Sequence, residues 1–149
     1  HTIWRNVTPT FIWRSLNGDA LPLDNGGNAS RDFIFVEDMA RGLMACALKG
    51  EEGGVYNIAT GKETSILDLA NLINEFTNNK TSIDLKPARE WDRSGKRFAS
   101  TEKSKNDLGF SAKINIREGI KRTVEWTKIN KELIGQNIAQ HKKLMSQTS

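Results

Sequence analysis

Apolar residues along this chain recur in two alternating patterns, short β-like runs and longer stretches at helical spacing, and the β-like runs are few. Alternation of that kind argues for an α/β class. A first helix is expected after Thr8-Pro9, with Thr8 as cap and Pro9 at the first helical position, where its missing N–H leaves nothing unsatisfied. Phe11, Ile12 and Leu16 form its apolar stripe, and Asn17-Gly18 ends it. A short strand at 20–23 leads into the turn Asp24-Asn25-Gly26-Gly27-Asn28. The run at 32–36 reads as a second strand, and residues 37–49 as a helix with Met39, Leu43, Met44, Ala47 and Leu48 at helical spacing.

Gly53-Gly54 breaks the chain before a compact strand at 55–59, which Thr60-Gly61 turns. Ser65-Ile66-Leu67-Asp68 has the form of a capping box, and its helix carries Leu69, Leu72, Ile73 and Phe76 before stopping at Asn78-Asn79. A strand at 82–85, an irregular charge-dense stretch at 87–98 and a short helix at 101–108 ending on Gly109 follow. Asn115-Ile116-Arg117-Glu118 opens a long helix through Ile120, Val124 and Trp126, continuing to Leu133. Two parts are expected: residues 1–130, and a polar helical or frayed tail at 131–149 on which Ile134, Ile138 and Leu144 make a weak stripe. A doubly wound sheet uses more strands than this, so the expected fold is a portion of one.

Composition excludes several classes. No apolar run approaches the roughly 18 residues that cross a bilayer. The net charge of +4 and pI of 9.3 permit an anionic partner. Lys and Arg are scattered among acids, as in Lys49-Gly50-Glu51-Glu52 and Glu102-Lys103, which reads as solvated surface and not as a nucleic-acid face. Cys46 is the sole cysteine, so an internal disulfide is excluded and a cytoplasmic setting is expected. Its apolar surroundings make it a buried small hydrophobe. His1 and His141 stand at the two ends, and no cluster has metal spacing, so no metal site is expected. The start at His1 has no signal-peptide pattern and reads as if the chain began mid-protein.

Four segments in order carry a resemblance. They are Ser30-Arg31-Asp32-Phe33-Ile34-Phe35-Val36-Glu37-Asp38 followed by Met39-Ala40-Arg41-Gly42; Val55-Tyr56-Asn57-Ile58-Ala59-Thr60-Gly61; Arg89-Glu90-Trp91-Asp92; and residues 99–110, ending Leu108-Gly109-Phe110. Together they resemble the carboxyl-terminal part of the NAD-dependent epimerase/dehydratase family, the extended short-chain dehydrogenases/reductases, and within it the UDP-sugar 4-epimerases. The resemblance implies a partial doubly wound α/β fold: a C-terminal substrate-binding lobe plus the last strand and helix of the dinucleotide-binding sheet. It also implies a cofactor, NAD, in the full-length protein. That family holds NAD on a Gly-x-x-Gly-x-x-Gly loop and works through a Tyr-x-x-x-Lys pair, and this sequence has neither; Tyr56 is its only tyrosine. The expectations are therefore a fragment whose first half is missing, no catalytic residues, no NAD held by this chain alone, and self-association through the exposed seam.

The implied ligand is a UDP- or dTDP-sugar. Arg31 and Arg89 match the family positions that clamp the diphosphate, a task suited to the forked guanidinium. Asp92 matches the acceptor for ribose hydroxyls, Asn6 a phosphate contact at the entry to the first helix, Ile66 an apolar neighbour of the nucleotide, and Leu23 the strand end along the base. Read from the residues alone, Arg31 pairs with Asp32 or Glu37, Arg89 and Asp92 form a loop ion pair, Asn6 caps the helix, and Ile66 and Leu23 are core. Two departures matter. Asp24 stands where relatives stack an aromatic ring on the base, which favours an alternative, a non-catalytic binding or interaction module derived from this family. Trp91 replaces a glycine and the following stretch is one residue longer, so Arg97 competes with Arg89 for the phosphate.

Overall fold

The structure, a computed structural model, describes residues 6–88 and 95–147. Among these, helices α1 (Val7–Leu16), α2 (Val36–Lys49), α3 (Ile66–Thr77), α4 (Glu102–Leu108), α5 (Ile116–Ile129) and α6 (Lys131–Gln147) are joined by short strands. Strand β1 (Pro22–Asp24) pairs in parallel with β4 (Asp84–Lys86), Leu23 opposite Leu85. Strand β2 (Ser30–Arg31) pairs antiparallel with β3 (Thr64–Ser65). The architecture is α/β, a portion of a doubly wound fold.

The core lies where α1, α3 and α5 meet over β1: Phe11, Ile12, Leu21, Leu23, Leu69, Ala70, Ile73, Ile120 and Val124 are buried together. Local chemistry sets the helix ends that bring these faces in. The Ser65 hydroxyl accepts the Asp68 N–H at 2.9 Å and donates to the Asp68 carboxylate at 2.6 Å, starting α3. Asn78, with φ of 56°, closes it in the left-handed region, where Asn is better tolerated than most side chains. Asn115 Oδ1 accepts the Glu118 N–H at 2.9 Å and starts α5.

Several expectations are corrected. Asn6, not Thr8, occupies the N-cap of α1, and Pro9 sits two residues inside it, where a missing N–H is still harmless. The paired strands are shorter, Pro22–Asp24 and Asp84–Lys86, although Leu21 O already accepts the Asp84 N–H at 2.9 Å. Residues 32–35 are not a strand; pairing is confined to Ser30–Arg31, and α2 begins at Val36. Residues 55–59 are not a strand either, and Val55 is 81% exposed. Extended apolar sequence becomes a strand only beside a partner, and none of the described residues pairs with it. The stripe on α2 is uncovered, with Leu43, Met44 and Leu48 exposed. What α2 buries instead is Asp38 and Gly42, the latter pressed against Ile58 and Phe110. Cys46 is half-buried for the same reason. Finally, α5 stops at Ile129, Asn130 caps it, and α6 is a separate helix with Ile134 and Ile138 half-buried. No helix of the described residues is long and apolar enough to cross a membrane. No group of three His, Cys, Asp or Glu among them can hold a metal ion.

Candidate functional site

Strand β2 has a neighbour on each side. Ser30 lies opposite Ser65 and Arg31 opposite Thr64 on β3. On the other side the segment 95–97 runs parallel to it: the Ser30 N–H donates to Gly95 O at 3.3 Å and the Arg97 N–H to Ser30 O at 3.1 Å, with Lys96 bridged to Ser30. Ser30 is buried, and its hydroxyl donates to Glu63 Oε1 at 2.5 Å. Lys96 Nζ reaches the same oxygen at 3.5 Å. The Ser30 hydrogen bond, helped by Lys96 against a smaller burial penalty, holds the Glu63 carboxyl below its ordinary value.

Of the six site residues inferred from sequence, Arg31 and Ile66 border this patch, and Leu23 lies in the core against the turn that precedes it. Arg31 Nη1 donates to Ser30 O at 2.6 Å and to Gly95 O at 2.9 Å. The acids first considered as its partners are engaged elsewhere. Asp32 accepts the N–H groups of Thr60 at 3.0 Å and Gly61 at 2.8 Å, and Glu37 pairs with Arg122. Leu23 is fully buried at the end of β1. Gly27, with φ of +75°, brings the following turn so close that a Cβ there would lie 2.6 Å from Leu23 and 2.9 Å from the Leu67 nitrogen. Half-buried Ile66 donates its N–H to Ala29 O at 2.9 Å, between that turn and β2.

Asn6 lies apart from this group, at the start of α1. Its side chain makes no capping bond and is exposed, while its carbonyl accepts the Thr10 hydroxyl at 2.7 Å. Arg89 and Asp92, with Trp91, lie outside the described residues.

Sequence reasoning gave no role to Asp38 or Glu63. Asp38 is 1% exposed, and its Oδ2 accepts the N–H groups of Lys113 at 2.9 Å and Ile114 at 2.8 Å while Oδ1 takes Arg41. Burial pushes this carboxyl up, but the Ile114 N–H, the Arg41 guanidinium and the Lys113 N–H together outweigh it and hold it below its ordinary value. The sequence signals were an acid on the first turn of an amphipathic helix and its place at the end of the motif that begins at Ser30. For Glu63 there was none.

The described residues do not fit a dinucleotide. Gly27 packs on Leu23 and Leu67, and Gly54 faces the Tyr56 ring and Glu51 O, so these glycines serve turns and close packing and form no phosphate cradle after a strand. The Tyr56 hydroxyl accepts the Glu51 N–H at 3.1 Å, and Lys103 lies over its ring at 4.6 Å. The clefts beside Phe33 and Ile116 and beside Trp13 and Trp126 have volumes of about 90 and 230 Å³, both below the size of a nucleotide site. These residues offer one wall of a site: a basic strand edge next to an apolar turn.

Comparison with known proteins identifies the family. The family model described as NAD dependent epimerase/dehydratase family matches residues 1–59. The Bordetella bronchiseptica enzyme WbmF, crystallised with NAD+ and UDP, superposes with a TM-score of 0.86 at 55% identity, covering 97% of this chain and 42% of that one. The UDP-glucose 4-epimerase of Thermotoga maritima, crystallised with UDP-glucose, gives 0.79 at 31% identity over 84% of this chain and 40% of its own. The Arabidopsis thaliana trifunctional UDP-glucose 4,6-dehydratase/UDP-4-keto-6-deoxy-D-glucose 3,5-epimerase/UDP-4-keto-L-rhamnose-reductase RHM1 is 31% identical over 129 residues, 87% of this chain and 19% of that protein. The chain thus spans between about a fifth and two fifths of the length of the proteins it matches.

Proposed function

Because this chain belongs to the NAD-dependent epimerase/dehydratase family, we propose that it is the substrate-binding portion of a nucleotide-sugar epimerase or dehydratase, gripping the nucleotide diphosphate. The observation that carries this reading is the Arg31 guanidinium, held by Gly95 O and Ser30 O on a strand paired with the one that leads into half-buried Ile66. A UDP- or dTDP-sugar needs both, charge-assisted donors for its phosphates and an apolar edge for its base. UDP is the favoured nucleotide, since the relative that matches over nearly the whole chain was crystallised with it. Arg31 acts on the diphosphate together with Arg89 or Arg97, Asp92 on the ribose and Asn6 on the phosphates; Ile66 bounds the base, and the strand end at Leu23 lies along it with the Leu23 side chain in the core. The chemistry resembles that of UDP-sugar 4-epimerases.

By holding the nucleotide handle, this portion places the sugar where the reaction occurs, which is catalysis by positioning. NAD in an enzyme of this family supplies hydride transfer; the described residues here do not fit it, and acid/base chemistry is not assigned to them either. The portion comprises residues 1–130, with 131–149 a helical appendage, and it works in the cytoplasm.

Asp24 supports a second reading. It lies on β1, at the position where the family resemblance implies a ring stacked on the base, and a carboxylate cannot stack. A non-catalytic nucleotide-binding module derived from this family satisfies that observation too. Thermal shift of the purified chain with UDP, UDP-glucose, NAD and a mixed oligonucleotide tests the main reading. UDP and UDP-glucose should raise Tm and the other two should not; no response to either uridine nucleotide would overturn it.

A further inference from the structure

Resting on the diphosphate reading of this wall, we propose that Glu63 is a positioning residue that latches segment 95–97 onto β2 and so sets Arg31 and Arg97 side by side for the phosphates.

The parallel register carries the argument. Ser30 forms a single parallel bridge to Lys96, and the register of that bridge would set the next residues, Arg31 and Arg97, beside each other. Successive strand residues point to opposite faces. Ser30 and Lys96 therefore share one face, where both reach Glu63 Oε1, and Arg31 and Arg97 share the other. Two guanidiniums at adjacent positions would repel each other, which would work to peel 95–97 away. An anion bound between them would relieve it.

Segment 95–97 is joined to β2 by the two backbone hydrogen bonds of Ser30 and by the Arg31 bond to Gly95 O. A pairing so short does not hold by itself. Glu63 adds an attachment from the face away from the ligand: a single carboxylate oxygen binds a hydroxyl on β2 and an ammonium on 95–97. The Lys96 head is largely exposed, so its ion pair is weak, whereas the Ser30 bond is shielded. The lowered Glu63 pKa, whose main cause is the Ser30 hydroxyl, agrees with this order. Glu63 thus acts on the ligand only through the strand between them.

The test compares wild type with Glu63→Gln and Glu63→Ala by calorimetric titration with UDP, NMR titration with uridine, and hydrogen exchange at the Arg97 N–H. Glu63→Gln should speed exchange at Arg97 and weaken UDP about tenfold, the loss of one charge-assisted hydrogen bond, with uridine unchanged. Glu63→Ala should do more of both. Equal loss for UDP and uridine would mean a merely structural role and overturn the proposal. So would unchanged Arg97 exchange, or fast exchange with full UDP affinity. A wild-type chain that bound no UDP would instead overturn the reading of the site, and this proposal with it.

Discussion

The Asp38 carboxylate accepts the backbone N–H of Ile114 at 2.8 Å, tying the first turn of α2 to the entry of α5 across 76 residues of chain. The same oxygen takes the Lys113 N–H, and Arg41 completes the set. The family motif around Arg31 is therefore in good part a structural clasp: Asp32 pins the turn at Thr60 and Gly61, and Asp38 pins residues 113 and 114.

Asp38→Ala should lower stability by about 2–4 kcal/mol, since two backbone donors and a guanidinium lose a buried charged acceptor. Urea unfolding at neutral pH measures it. Asp38→Asn should be destabilising too, because an amide presents a donor where three donors converge.

Acid should weaken the fold through the same residue. The folded carboxyl sits below its ordinary value of 3.8, so its contribution is complete above that pH. The contribution falls away as the pH drops from there through the depressed folded value. Urea midpoints from pH 6 to pH 2.5 should therefore fall less steeply for Asp38→Asn than for wild type. Parallel curves would remove Asp38 as a source of acid sensitivity.

Arg31→Ala should cost about 1.5–3 kcal/mol of UDP affinity, the worth of a hydrogen bond to a charged group. Calorimetric titration with UDP is the measurement, and an unchanged Kd would return Arg31 to a purely structural place against Gly95.

The uncovered face of α2 should make the chain self-associate. Leu43, Met44 and Leu48 are exposed along one helix, and Val55 lies beyond its end. Contiguous apolar surface of this kind is adhesive. Sedimentation should show association rising with concentration, and Leu43→Lys with Leu48→Lys should abolish it while leaving helix content intact. A wild-type monomer at high concentration would contradict this.

Residues 1–149, rigorously purified, should neither retain NAD nor convert a UDP-sugar. The expectation rests on glycines engaged in packing and a tyrosine engaged with the Glu51 N–H. Absorbance of released cofactor and a coupled epimerase assay check it, and turnover would assign chemistry to this chain.

The sequence by itself determined what depends on neighbours along the chain. Both N-caps, at Ser65 and Asn115, appear where read, each side chain accepting the N–H three residues on, because a cap joins residues three apart. The left-handed ends at Asn78 and Gly109 follow from those residue types alone. The α/β class and the family also followed, since the order of motifs survives in the linear string. Only the tertiary structure decided which extended runs become strands, because a ladder needs a partner that local sequence does not contain. It left residues 32–35 and 55–59 unpaired, and it joined 95–97 to β2. It also decided that the apolar stripe of α2 faces outward, since periodicity marks a face but not what covers it. Arg31 was legible from its motif. Its neighbour Arg97, its anchor at Gly95 and the acid behind its strand lie more than thirty residues away along the chain, and folding alone brings them together.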